Sequence, residues 1–498
     1  MAEVIRLDRV SQPVVVVAGF VFIFVILGIA VGENPSLSIA AGIVTIAAVM
    51  FLWRPGEPPT LLLVAAIHLV QVNTALIYAN LTGVHINSLS ENGLDLEYAT
   101  FVALGGVLCL ILGMSLGNAG SSFWSPADAQ AEALRWSPRT AFRFWLVSLV
   151  LSLFFLELSS LSEGVRQLFL AGTGLQWIGV FLLAFVCLSQ KRGLSYFLVA
   201  IGTEVALGFT GFFGQFKEVF YVLFVAFAVA RPKLNFPSFV AIAFTAIVAL
   251  LFSAFWSATK EDYRTFLNQG SGAQEVLVPL EDRLTFLADR VNSADADTLT
   301  HGFDLLVRRL SYVEFLAATL TFVPAGRPHE NGAMTEAAIA HILLPRLFVP
   351  AKARLPSDTA VTIAYTGLPI VDRGGVSISI GYPGEFYIDF GVLGMMACMG
   401  VLGFLYGKAN QYIQRHFSSA LIAYGATITL LMPGVLFETS LPKTLGGVCT
   451  SFIILLLMSK IVLPFALNAL AWKERRTLRS LNGMSAAHYP VDESEMPL

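Results

Sequence analysis

Three cations interrupt the edges of long apolar runs: Arg166 in SEGVRQLF, Lys217 in FTGFFGQFKEVF and Arg264 in KEDYRTF. A guanidinium offers paired N–H donors that match phosphate oxygens, and a fixed cation stabilises negative charge as a diphosphate departs. The plainer alternative is an interfacial anchor, a cationic side chain reaching lipid headgroups or a neighbouring carboxylate. Other ionisable residues lie inside the apolar runs: His68, Glu157, Glu204, Asp389, Glu438 and Lys460. Each costs roughly 2.5–3.5 kcal/mol near a bilayer centre, so each faces protein or a cavity. Glu157 and Glu438 lie near run ends, within reach of a substrate, whereas His68 and Glu204 read as structural.

Several chemistries are missing. No GxxxxGK[ST] occurs, and no GxGxxG opens a helix after a strand. No HExxH or paired Cys/His spacing suggests zinc, so no metal and no cofactor is expected. Cys109, Cys187, Cys398 and Cys449 all sit in apolar runs, and no disulfide framework can be built from them. The formal net charge of -3 argues against a nucleic-acid partner.

The elements that must position these residues follow from composition. Of 498 residues 56% are hydrophobic and 13% charged, and mean hydropathy is +0.72. Soluble proteins carry about 25% charged residues, so a water-soluble globule is excluded. Apolar runs near 20 residues long fall at 12–32, 36–53, 60–80, 99–119, 141–159, 172–189, 194–212, 216–231, 237–256, 386–407, 417–437 and 444–467. The sequence therefore predicts an all-α polytopic membrane protein with about twelve spans. Lys/Arg bias sets its orientation: with a cytoplasmic N-terminus, sixteen cations fall in the inside segments and three in the short outside loops. Both termini are then cytoplasmic, and no internal repeat stands out.

Residues 257–384 separate the ninth and tenth runs and belong to the outside face, with eleven Lys/Arg against fourteen Asp/Glu. The expected organisation is spans one to nine over 1–256, this loop, spans ten to twelve over 385–472, and a cytoplasmic tail over 473–498. Apolar residues recur at helical spacing in 302–322 and again in 335–349 until Pro345. Such helices would lie at the membrane surface as a lid. Gly381, Pro383 and Gly384 break any preceding helix and aim Glu385 at the mouth of the tenth span. Gly391, Gly394, Gly400, Gly403 and Gly407 mark a small-residue stripe suited to close helix packing.

The stretches LLPRLFVPAKARLPSD (343–358) and SISIGYPGEFYIDFGVLGMMACMGVLGFLYGK (377–408) resemble the O-antigen polymerase family, the bacterial oligosaccharide repeat-unit polymerases. The resemblance rests on Pro345, Arg346, Pro350 and Lys352, then on Gly384, Glu385, Phe386, Tyr387, Asp389, Phe390, Gly391 and Gly394. Over the first nine spans only the layout matches, with Lys217 and Arg264 where that family tends to place a cation. The resemblance implies a glycosyltransferase of the bacterial inner membrane acting on its periplasmic side. Its substrate would be an undecaprenyl-diphosphate-linked oligosaccharide, with membrane lipid and a chain-length regulator protein as partners. Diphosphate binding would fall to Arg264, Lys217, Arg346, Arg354, Arg166 and Arg373. The base would be Glu385, with His329 in GRPHENG as its rival because an imidazole titrates near neutrality. A related ligase and a lipid-oligosaccharide transporter remain open; the GEFYIDFG segment favours the polymerase.

The orientation is directly testable. A reporter active only outside the cytoplasm is expected to be on when fused after Asn292 and off after Arg479. The reverse pattern would sink the orientation and every site assignment that depends on it.

Overall fold

Lipid offers backbone N–H and C=O groups no partner, so a chain this apolar must close its hydrogen bonds within helices. The computed structural model describes residues 25–460 apart from 27, 31, 55–56, 121–123, 160–164, 211–216, 231–235, 272–275, 345–348, 350–354 and 371–376. Among the described residues there are helices and no strand. The α-helices are α1 (Pro35–Leu52), α2 (Thr60–Thr82), α3 (Leu96–Gly117), α4 (Pro126–Arg135), α5 (Pro138–Leu158) and α6 (Arg166–Gly172). They continue with α7 (Leu175–Gln190), α8 (Leu194–Thr210), α9 (Lys217–Ala230), α10 (Phe236–Leu267), α11 (Leu280–Asn292) and α12 (Ala296–Leu310). The last six are α13 (Val313–Phe322), α14 (Ala333–Leu343), α15 (Asp358–Thr366), α16 (Gly381–His416), α17 (Ala420–Leu431) and α18 (Leu441–Lys460).

Among the described residues seven stretches are long and apolar enough to cross a membrane: α1, α2, α3, α5, α6 with α7, α16 and α18. They coincide with seven of the predicted runs. The run at 12–32 lies almost wholly outside the described residues, as does the tail. The runs at 194–212, 216–231, 237–256 and 417–437 correspond to α8, α9, α10 and α17. With 12 residues, α17 reaches roughly 18 Å, short of a hydrocarbon core of about 30 Å. By contrast α10 has 32 residues and carries its helix beyond the apolar stretch through Lys260 and Arg264. The boundaries expected near 257 and 385 therefore fall inside helices.

The tightest packing lies between α3 and α16, which run parallel. A Cβ built at Gly113 would meet the Gly400 carbonyl oxygen at 2.1 Å, and one at Gly117 the Phe404 carbonyl at 2.1 Å. Reciprocally, a Cβ at Gly403 would come within 2.2 Å of the Leu110 carbonyl and one at Gly407 within 2.4 Å of the Met114 carbonyl. The glycine stripe read from the sequence thus meets a second stripe, and the two backbones touch directly. Where solvent cannot drive association, such close approach supplies the dispersion contact that holds helices together.

The chain after α17 does not finish the crossing. A 3₁₀ turn at Met432–Gly434 and irregular residues 435–440 lead into α18. Buried backbone of this kind needs partners, and Gln71, at the middle of α2, supplies one here and another at the junction of α12 and α13. Its Oε1 accepts the Phe437 N–H at 2.7 Å, and its carbonyl accepts the Tyr312 N–H at 3.2 Å. The second bond explains why the helical pattern over 302–322 divides into α12 and α13 at Ser311 and Tyr312. Val313, Leu316, Ala317 and Ala318 of α13 are buried within the bundle, where the sequence pattern predicts a helix on the membrane surface. A smaller aromatic cluster of Trp256, Tyr263, Phe266 and Phe286 joins the end of α10 to α11.

Packing a side chain into the glycine seam should be disruptive. Gly403→Val is expected to destabilise the protein by about 1–3 kcal/mol or more, by overpacking against backbone that cannot rotate away. Gly202→Ala, where nothing lies within 4 Å of the added methyl, serves as the neutral control. Thermal unfolding in detergent is the measurement, and a Gly403→Val melt matching wild type would refute the seam.

Candidate functional site

The segment resembling a known motif forms a buried helical leg, residues 381–390, that ends where Gly391 takes φ 69 and ψ -172. Positive φ at that residue favours glycine, which breaks the helix without strain. Glu385 and Asp389, one turn apart, are 5% and 1% exposed. Glu385 Oε2 accepts the backbone N–H of Leu441, the first residue of α18, at 2.9 Å. Asp389 accepts the N–H groups of Met334 and Thr335 at 3.0 and 2.7 Å, and the Thr335 hydroxyl at 2.6 Å. The residue preceding α14 is Gly332, which has no side chain to cap the helix, so Asp389 does so from outside. Such a cap contributes about 0.5–2 kcal/mol and places negative charge at the positive end of the helix dipole.

His329 serves the other end of the same leg. The break at Gly391 frees carbonyls, and Nδ1 of His329 lies 3.1 Å from those of both Tyr387 and Ile388. With Nδ1–H donating there, Nε2 is left as the acceptor nitrogen. The Tyr387 hydroxyl donates to the Val323 carbonyl at 2.6 Å, and the Tyr382 hydroxyl bonds His68. His68 and Glu204, the latter accepting Trp145 Nε1–H at 2.8 Å, are satisfied inside the bundle.

The cations converge elsewhere. Lys217 opens α9, Lys260 and Arg264 lie one turn apart on α10, and Arg309 lies in the last turn of α12. Gly302 of α12 packs against the backbone of Ala254 and the methyl of Ala258, seating α12 on α10. Lys260 feels Arg309, Arg264 and Lys217, and Arg309 also acts on Lys217 and on Arg264, with Glu438 of the 435–440 segment attracting Lys217 and Lys260 and Glu218 attracting Lys217. Burial, followed by repulsion from Arg309, Arg264 and Lys217, pushes the Lys260 ammonium down to about 7, against the pull of Glu438. Burial and then Arg309 lower the Arg264 guanidinium to about 10. Mutual repulsion among cations is relieved when a polyanion comes to lie against them.

A cavity of about 920 Å³ opens beside this cluster. Glu218, adjacent to Lys217, lies on its wall together with Arg166, Trp177, Thr429, Asp358 and Lys443. At its rim the Lys443 ammonium pairs with Asp358, and Ser377 Oγ donates to Asp358 at 3.0 Å, tying α15 to α18. Its floor is the unfinished end of α17 with Met432 and Pro433.

The structure therefore gathers Lys217 and Arg264 around Lys260 and Arg309, places Arg166 on the neighbouring cavity wall, and holds Glu385 and His329 within the fold, off that wall. Arg346, Arg354 and Arg373 lie outside the described residues. Lys260 and Arg309 were visible in the sequence only as loop cations; the i, i+4 spacing of Lys260 with Arg264 was the available signal. Nothing in the sequence marked Gln71.

A family model described as a domain of unknown function (DUF8712) matches residues 129–467, more than half of the chain. No curated protein and no solved structure matches it.

The Lys260 environment, faced by Lys217, Arg264, Arg309 and Glu438, fixes a pH dependence. A bound anion favours the ammonium form, so anion binding is full below about pH 7 and declines as pH rises and the free site sheds that proton. Sulfate, whose charge is constant over this range, should stabilise the protein more at about pH 6 than at about pH 9, and Lys260→Arg should flatten the difference. Equal stabilisation of wild type at both values would refute the depressed ammonium.

Proposed function

The chain belongs to the DUF8712 family, of unknown function, and for it we propose an integral-membrane glycosyltransferase that polymerises undecaprenyl-diphosphate-linked oligosaccharide repeat units. The observation that supports this reading is the convergence of Lys217, Lys260, Arg264 and Arg309, from three helices, beside a cavity of about 920 Å³. A cation cluster joined through Glu218 to a roomy, partly polar cavity suits a substrate with a diphosphate at one end and a saccharide at the other.

In this reading the protein has about twelve spans with both termini in the cytoplasm of a bacterial inner membrane, and residues 257–384 face the periplasm. The growing chain leaves its lipid diphosphate and joins the non-reducing end of a new lipid-linked unit. Transfer requires that diphosphate charge be met as the glycosidic bond breaks. Lys217, Lys260, Arg264 and Arg309 meet it, with Arg166 at the cavity wall and Arg346, Arg354 and Arg373 as further cations of the same segment. A ligase that moves finished glycan to another acceptor would use the same site; the GEFYIDFG resemblance favours the polymerase.

The surface glycan of a strain lacking the gene should stop at a single repeat unit on a gel. A ligase loss leaves no glycan on the acceptor, and a transporter loss leaves units trapped inside the cell. Arg264→Ala should cut polymer by about 100-fold at unchanged membrane abundance, and Arg264→Lys should rescue poorly, since an ammonium cannot reproduce the guanidinium fork. Normal polymer from Arg264→Ala would reduce this residue to an anchor.

A further inference from the structure

The glycosyl-transfer reading leaves open which group removes the acceptor proton. Among the described residues the cavity wall carries two carboxylates, Glu218 and Asp358. Asp358 is occupied: it accepts from Lys443 and Ser377 and stands in the first turn of α15. Glu218 is half-buried in the first turn of α9, and no hydrogen bond among the described residues commits it elsewhere. Its charge is attracted by the adjacent Lys217 and repelled by Glu204. It therefore stands at the junction of the cavity and the cation cluster. The cavity wall also bears the Trp177 ring and the hydroxyls of Thr429, Ser377 and Ser440, an aromatic face and polar partners of the kind a sugar ring uses.

We infer that Glu218 is the catalytic base, the group that takes the proton from the acceptor hydroxyl. This rests on the glycosyl-transfer reading. As the acceptor O–H bond breaks, its proton passes to a Glu218 carboxylate oxygen, and the acceptor oxygen bonds the anomeric carbon. The bond from that carbon to the diphosphate oxygen breaks, and its electron pair stays with the diphosphate, opposite Lys217, Lys260, Arg264 and Arg309. Glu218 then returns the proton to water. Glu385 and His329, each bonded to backbone of another segment, hold the walls that position this chemistry.

The test uses the purified full-length protein in nanodiscs, supplied with lipid-linked saccharides extracted from a strain deleted for the gene. Undecaprenyl diphosphate is the binding probe. Glu218→Gln should lower the polymerisation rate by about 100-fold or more while binding undecaprenyl diphosphate at least as tightly as wild type, because it removes a negative charge beside the cations. Glu218→Asp should retain part of the rate. A wild-type rate in Glu218→Gln overturns the inference, as does a loss of diphosphate binding in step with the rate, which would make the residue structural. So does normal polymerisation in Glu218→Gln alongside its loss in Glu385→Gln. If wild type itself makes no polymer from the extract, the glycosyl-transfer reading falls and the inference falls with it.

Discussion

Glu385 and Asp389 sit one turn apart on a buried helical leg and accept the first N–H groups of α18 and α14. Each offers a helix start a carboxyl acceptor in a low-dielectric interior, where such bonds are strong and their loss leaves buried groups unpaired. Much of the loop face hangs on this pair. It fixes where α18 begins after the unfinished α17, and hence the floor of the cavity. It fixes α14, whose neighbour His329 closes the freed carbonyls of the same leg. A short helix with two acids on one side thus serves as a bracket for elements that are far apart in sequence.

The cation cluster depends on a different logic. Lys217, Lys260, Arg264 and Arg309 come from three helices and have Glu438 among them as counterion. Mutual repulsion of this kind is unfavourable in the empty protein. It is sustained because α12 is seated on α10 through Gly302 and the aromatic cluster of Trp256, Tyr263, Phe266 and Phe286 clamps the end of α10. Packing free energy from the apolar side holds charges that would otherwise separate, which on the proposed reading preorganises the site for an anion.

Most long helices were legible in the sequence because a run of some 20 apolar residues has few alternatives in lipid. The Gly400, Gly403 and Gly407 part of the glycine stripe on α16 was legible as a close helix contact, whereas Gly391 breaks the helix and Gly394 meets Phe390; the partner stripe on α3 was not singled out. The half-length of α17 was hidden, since its apolar composition continues through residues whose backbone turns and bonds Gln71 instead. Hydropathy registers side-chain transfer, not which carbonyl a distant glutamine will satisfy. Lys217 and Arg264 stood out by residue type at a helix end. Lys260 and Arg309 did not, because their meeting depends on how α12 folds back along α10. Glu385 and Asp389 were singled out as conspicuous acids, yet the bonds they make, to the starts of α18 and α14, could be read only from the fold.

The seam between α3 and α16 also constrains motion. Between Gly113, Gly117, Gly403 and Gly407 its surfaces are bare backbone, which has no rotamers with which to accommodate displacement. Sliding one helix along the other by a residue would drive Phe404 or Met114 into the space that Gly113 and Gly403 keep open. These two helices therefore behave kinematically as one rod, and any opening of the cavity has to come from parts joined by side chains, such as the Lys443–Asp358 pair between α18 and α15.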